Sequence, residues 1–178
     1  MKNNEKINYI HDFLTKNRLK LSIGESITGG KISAIITDFP GASDYFRGGI
    51  VSYTKIAKKK LLKVSAAKLR HLTAYNEEIA VLMALGARKV LGAHISVGVT
   101  GLAGPNRDNA PDGVEVGDVF FAIALNRHKV IKKKISFSGS REEIRNASAL
   151  AAIDLLYECI SSNEDLILRL YKRKWVKG

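Results

Sequence analysis

Ile7, Ile10, Phe13 and Leu14 recur at spacings of three and four, so residues 3–17 are expected to form an amphipathic helix. The pattern then changes to a short β-prone run, Leu19-Lys20-Leu21-Ser22-Ile23, which empties into Gly24-Glu25-Ser26-Ile27-Thr28-Gly29-Gly30. Helical spacing resumes over residues 29–38 through Ile32, Ile35 and Ile36, and stops at Phe39-Pro40-Gly41. A turn of helix is expected at 43–47, then the pair Gly48-Gly49 and a strand over 50–54, after which residues 55–62 turn helical again. A longer helix is expected over 76–91, with Glu77 and Glu78 complementing the dipole in its first turn and Gly92 closing it. Residues 94–100 read as a buried strand that ends in Gly101-Leu102-Ala103-Gly104-Pro105. Strands over 116–125 and 129–137 flank a hairpin turn at Asn126-Arg127-His128. Ser140 opens the last long helix, with Glu143 three residues later as a capping box. That helix is expected to run to about residue 160, with a basic tail helix after it.

Helices thus alternate with strands through the first hundred residues, and a hairpin follows. This order predicts an α/β fold: a three-layer α/β/α sandwich around a mixed, mostly parallel sheet. One domain is expected over residues 1–162, with a tail over 163–178 in which Leu166, Ile167, Leu170, Tyr171 and Trp175 form an apolar stripe. In folds of this class, sites collect in the loops beyond the carboxyl ends of parallel strands. Three loops of suspicious composition occupy such places: 25–30, the turn after Tyr53, and 100–105.

Composition narrows the function classes. At 178 residues, 46% hydrophobic and 26% charged, the chain has enough apolar surface for one core. His11, Asp12, Lys16 and Arg18 interrupt the first apolar segment, so no signal peptide is expected. No apolar run approaches the roughly 20 residues of a membrane span. The single cysteine, Cys159, suits a reducing compartment, and the cytoplasm is the expected location. The net charge of +12 is concentrated at Lys55 with Lys58-Lys59-Lys60, at Lys132-Lys133-Lys134, and in the tail at Arg169, Lys172, Arg173, Lys174 and Lys177. These clusters lack the aromatic interleaving of single-strand platforms. Lysines at 132–134 suit a guarded edge strand, so nucleic acid is not expected as the main partner.

The loop at 24–30 can be read in two ways. Hydroxyls and paired glycines after a strand suit a site for an anion or a developing oxyanion, because glycine lets backbone N–H groups approach a ligand. The same residues suit a plain strand–turn–helix with Ser26 or Thr28 as N-cap. Neither a P-loop nor a dinucleotide fingerprint is present. His11, His71, His94 and His128 are scattered and Cys159 is alone, so no metal ligands and no cofactor are expected; His94 reads as structural.

The segments 24–30, Gly41-Ala42-Ser43, 49–54 with Ala57-Lys58, Val99 to Pro105, Val116-Gly117 and Phe137-Ser138-Gly139-Ser140-Arg141 resemble, in order and spacing, the CinA C-terminal domain family. The likeness covers roughly residues 5–160, as in stand-alone members without an N-terminal molybdopterin-binding-like domain. It implies a nicotinamide-nucleotide amidase that turns nicotinamide mononucleotide into nicotinate mononucleotide and ammonia. It also implies an anticodon-binding-domain-like sandwich and a homo-oligomer, with a dimer favoured. The catalytic positions it implies are Lys58 as base, with Ser43 favoured as nucleophile and Ser26 orienting substrate, holding the oxyanion or itself the nucleophile. Lysine serves as a base when desolvation lowers its pKa. Tyr53 and Thr100 would hold the substrate by their hydroxyls, Arg141 would grip the phosphate, and backbone N–H groups around Gly101 and Gly104 would steady the oxyanion. Glu25, Thr28, Gly29 and Gly30 complete the implied substrate loop. This chain departs from the family pattern at Ile27, Lys55, Glu115, Asp118, Ser138 and Ser140, which bears on substrate choice. The competing readings are a non-catalytic binding or regulatory protein and, separately, a nucleic-acid-associated protein.

Overall fold

A computed structural model describes residues 3–72, 74–107 and 110–172. Its centre is a five-stranded sheet of β1 (Leu21–Glu25), β2 (Phe46–Val51), β3 (Ile95–Gly101), β4 (Asp118–Ala124) and β5 (Val130–Ser136), in the order β2-β1-β3-β4-β5. The first three strands are parallel and pair Glu25 with both Val51 and Val99; β4 and β5 add antiparallel, as a hairpin must. The expected mixed α/β sandwich is therefore the observed architecture. The carboxyl ends of β1, β2 and β3 share one edge.

Alternation along the strands decides which helix covers which face. Leu21, Ile23, Ile95, Val97, Val99, Val119, Phe121 and Ile123 join one apolar cluster with residues of α1 (Asn3–Lys16), α2 (Lys31–Thr37) and α6 (Arg141–Ser161). The opposite face is built mostly from small residues, with Phe120 beside them, and takes α5 (Glu77–Leu91) at close range. Ser96 Oγ donates to Ala84 O at 2.7 Å, and a Cβ at Gly98 would lie 2.2 Å from Ala80 O. This close fit is a packing role for Gly98, independent of any ligand. Beside α5 lie α3 (Lys55–Leu62) and α4 (Ala66–His71).

Local signals hold where capping chemistry is explicit. Asn76 caps α5 by accepting from Ile79 N–H at 2.9 Å, Gly92 ends it at φ 64°, and the Ser140–Glu143 capping box opens α6. Two elements differ from expectation. β2 begins at Phe46, four residues earlier than its apolar run suggests, and the expected helical turn at 43–47 shrinks to a 3-10 turn at Ala42–Asp44. The helix α4 has no counterpart in the pattern because only Leu69 is buried within it. β5 is an edge strand, as the lysines at 132–134 suggest.

The segment after residue 162 belongs in part to the body. α7 (Glu164–Lys172) buries Ile167 and Tyr171 in the cluster shared with α1 and α6. The Tyr171 hydroxyl donates to the carbonyls of His94 and Leu125, at the start of β3 and the end of β4. Leu166 and Leu170 of the expected stripe pack, partly buried, against the same cluster, whereas Arg173, Lys174, Trp175 and Lys177 lie outside the described residues. Among the described residues no helix is long and apolar enough to cross a membrane.

Candidate active site

The first turn of α3 determines what Lys58 can do. Thr54 caps that helix, accepting from Ala57 N–H at 3.1 Å, and Lys58 follows with its side chain turned inward, 1% exposed. Lys58 Nζ lies 2.8 Å from Ser26 Oγ, 2.9 Å from Ser52 O and 3.5 Å from Tyr53 O. The three oxygens it meets are neutral, so burial is uncompensated. The amine pKa falls from 10.5 to about 8 through desolvation. A lysine in this state is neutral in about a tenth of molecules at pH 7, far more than an ordinary lysine, and its lone pair can then take a hydroxyl proton.

Ser26 follows β1 directly, and its own N–H donates to Val99 O at 3.0 Å, which fixes the residue against β3. Its neighbours in a cavity of about 90 Å³ are Ile27, Tyr53, Tyr75, Gly101, Leu102, Ala103 and Arg141. That volume is well below the roughly 300–1,000 Å³ of a site that encloses a whole ligand, so it suits one end of a larger molecule. Arg141, at the start of α6, donates to Gly104 O at 2.6 Å and to the Tyr53 hydroxyl. The guanidinium is exposed, and its fork spans the rim between the loops after β2 and β3.

Other expected site residues have structural partners. Glu25 is fully buried and its carboxylate accepts from Thr28 Oγ1 at 2.7 Å, Gly30 N–H at 2.9 Å, Ile32 N–H at 3.2 Å, and Ser33 N–H and Oγ at 3.0 and 2.6 Å. Five donors saturate it, so Glu25 and Thr28 hold the loop and the α2 N-terminus together and do not face the cavity. Gly29 and Gly30 take positive φ, 60° and 101°, in the same turn. Thr100 is buried, and its hydroxyl donates to Ala74 O at 2.6 Å. Gly101 lines the cavity, and its lack of a side chain is already required by Asp118 O, 2.6 Å from where a Cβ would sit. The Leu102 N–H is committed to Asp118 O at 3.0 Å.

Ser43 is elsewhere. It sits exposed in the 3-10 turn before β2, whereas Lys58 follows β2. The six residues of β2 separate the two by roughly 20 Å at 3.3 Å per residue. The geometry thus joins Ser26, not Ser43, to Lys58. Three contributors carried no clear signal in the sequence. Tyr75 reaches the cavity from an irregular turn, the Ser52 carbonyl anchors Lys58, and Arg145 bonds the loop that bears Ser26. Only Arg145 could have been anticipated, as a second arginine one helical turn after Arg141.

Residues 3–160 match the sequence profile of the CinA C-terminal domain. Relatives include the CinA-like protein of Geotalea uraniireducens, 45% identical over 136 residues that cover 76% of this chain and 32% of the relative. The CinA-like protein of Flavobacterium psychrophilum is 37% identical over 150 residues, 84% of this chain and 35% of that one. The chain therefore spans about a third of the length of these relatives. Among solved structures, the competence damage-inducible protein A of Klebsiella pneumoniae superposes with a TM-score of 0.83 at 27% identity, covering 90% of this chain and 98% of that one. The competence/damage inducible protein CihA of Agrobacterium tumefaciens gives 0.81 at 31% identity, with 88% and 94% covered.

Proposed function

Given that the chain belongs to the CinA C-terminal domain family, we propose that it is an amidohydrolase whose substrate is nicotinamide mononucleotide. The observation that carries this reading is the 2.8 Å contact between Ser26 Oγ and a buried Lys58 amine with no anionic partner among the described residues. Neutral Lys58 takes the hydroxyl proton as Ser26 Oγ bonds to the carboxamide carbon, which gives a tetrahedral intermediate. The protonated amine then returns its proton to the leaving nitrogen. The C–N bond breaks, ammonia departs, and an ester on Ser26 remains. Water repeats the sequence: Lys58 accepts its proton, the new C–O bond forms, and the ester bond to Ser26 breaks with the proton returned to Oγ. The products are nicotinate mononucleotide and ammonia, and the lysine ends as it began.

The cavity suits the planar amide end of such a substrate. Tyr53 and Tyr75 line it with aromatic side chains, and Leu102 and Ala103 add apolar wall. The nucleotide's phosphate would meet Arg141, an exposed residue at the cavity's rim that has N–H donors beyond those given to Gly104 O and the Tyr53 hydroxyl. Such charge-assisted contacts favour a phosphate strongly. Ammonia release measured across nicotinamide mononucleotide, its riboside and free nicotinamide tests the proposal. Turnover confined to the phosphorylated compound is expected. Turnover of none of them, by a folded protein, contradicts an amidase.

A further inference from the structure

The turn that carries Ser26 is held from two sides. On one side stands the Glu25 carboxylate. On the other, Arg145 donates from Nε to Ile27 O at 2.9 Å and from a terminal nitrogen to Thr28 O at 3.2 Å. Gly29 leaves room for this guanidinium, since a Cβ there would lie 2.7 Å from its nitrogen. The turn closes through Gly29 N–H on Ser26 O at 3.1 Å, which makes Ile27–Thr28 its central peptide.

In a trans peptide the C=O and the N–H point to opposite sides. With Ile27 O drawn toward α6, the N–H of Thr28 is turned away from α6. A flip of this central peptide is the difference between type I and type II turns, so the donor's direction depends on what holds the carbonyl. Thr28 is β-branched and keeps a negative φ, which also opposes the flip. Arg145 adds two fixed donors to that preference. Its planar fork matches two successive carbonyls, which a point-charge ammonium cannot do. Arg141, one helical turn earlier, reaches the cavity itself, while Arg145 stands behind the wall formed by Ser26 and Ile27.

We propose that Arg145 is a positioning residue for acyl transfer: by fixing the Ile27–Thr28 peptide it holds the turn that carries Ser26, and so keeps Ser26 Oγ in place against Lys58 Nζ. The inference rests on the Ser26–Lys58 reading.

The test uses Arg145→Met, Arg145→Lys and Gly29→Ala in the full chain, with nicotinamide mononucleotide as substrate. Arg145→Met should lower kcat about tenfold to a hundredfold per folded molecule, somewhat less than deletion of an oxyanion donor. KM should stay within about twofold, and the apparent pKa of the rate profile should not move, since the effect falls on the transition state. Arg145→Lys should recover part of the loss. Gly29→Ala, which displaces the guanidinium while keeping the arginine, should reproduce it. Should Arg145→Met fail to fold, the other two variants decide. An unchanged kcat in the folded variants overturns the inference, as does a loss confined to KM. So does a loss recovered at higher pH, which would mean that Arg145 acts on Lys58 by charge. Ser26→Ala run in parallel separates the layers: retained turnover there removes the catalytic reading itself, whereas its loss beside a normal Arg145→Met removes only the role of Arg145.

Discussion

The two edges of the sheet each hold a serine near ionisable groups, and only one of them is built for chemistry. At the carboxyl edge of β1–β3, Ser26 meets a lysine that is buried and faces neutral oxygens alone. At the opposite edge, Ser43 is exposed beside Asp44, whose carbonyl accepts from the ammonium of the half-buried Lys20. Nearby, His11 packs edge-on against the buried Tyr45 ring at 5.4 Å. Further along the same edge His94 accepts from Lys20 N–H at 2.9 Å and packs edge-on against Tyr171 at 4.8 Å, while α7 covers the start of β3. Charge kept in water needs no compensation and gains no reactivity. Charge taken from water without a counter-ion is destabilised, and that destabilisation makes the Lys58 amine a base. The lesson is that burial of the partner, more than proximity of polar residues, separates a site from a surface.

The largest break in that comparison comes from Lys58→Met, which keeps the side chain's length and removes the base. Turnover of nicotinamide mononucleotide should fall roughly 10³-fold or more, and Ser26→Ala combined with it should add little, since the two act as a unit. Steady-state ammonia release checks both statements.

The opposite edge should answer in stability instead. Ile167→Ala empties a fully buried position in α7 and should cost about 2–4 kcal/mol in urea unfolding, with kcat per folded molecule unchanged. Tyr171→Phe, which strips the hydroxyl from the carbonyls of His94 and Leu125, should cost about 1–2 kcal/mol. A loss of turnover without a loss of stability would erase the distinction between the edges.

At the rim, Arg141→Ala should raise KM for the nucleotide by about tenfold to a hundredfold with a smaller change in kcat, because the phosphate contact precedes the chemistry. Comparison of the nucleotide with its riboside sharpens this: the variant should lose the preference for phosphate.

The pH dependence is a graded effect. The folded pKa of Lys58, about 8, lies below its unfolded value of 10.5, so the unfolded chain binds more protons between them and stability rises with pH across that window. Between pH 7 and 9.5 the gain is roughly 2 kcal/mol. Burial pushes the Cys159 thiol up to about 12, which opposes this rise above pH 9, so the difference between the parent protein and Lys58→Met isolates the lysine. The logarithm of kcat/KM should climb and level off with an apparent pKa of about 8. A profile flat from pH 6 to 9 would contradict a lysine base.

Much of this was legible in the chain. Asn76, Gly92 and the Ser140–Glu143 pair declare helix ends through local hydrogen bonds, and the alternation of helix and strand places three glycine-rich loops at one sheet edge. The pairing of Ser26 with Lys58 was not, because it depends on where β2 begins. Gly48-Gly49 looks like a break, yet both lie within the strand; a Cβ at Gly49 would fall 1.9 Å from Ser33 Oγ, the group that bonds Glu25. That requirement comes from a neighbouring helix and has no local trace. Glu25 looked like a ligand for the same reason: its five donors come from residues 28–33, and only the folded turn brings them to one carboxylate. Tyr75 reaches the cavity from a turn without periodicity.

The most direct measurement compares ammonia release from nicotinamide mononucleotide by Ser26→Ala and Ser43→Ala at matched folded concentration. The account predicts that Ser26→Ala loses turnover by several orders of magnitude, while Ser43→Ala stays within about twofold of the parent, as expected for an exposed serine far from the base. Retained turnover in Ser26→Ala with its loss in Ser43→Ala would place the nucleophile at the other edge of the sheet and contradict the account.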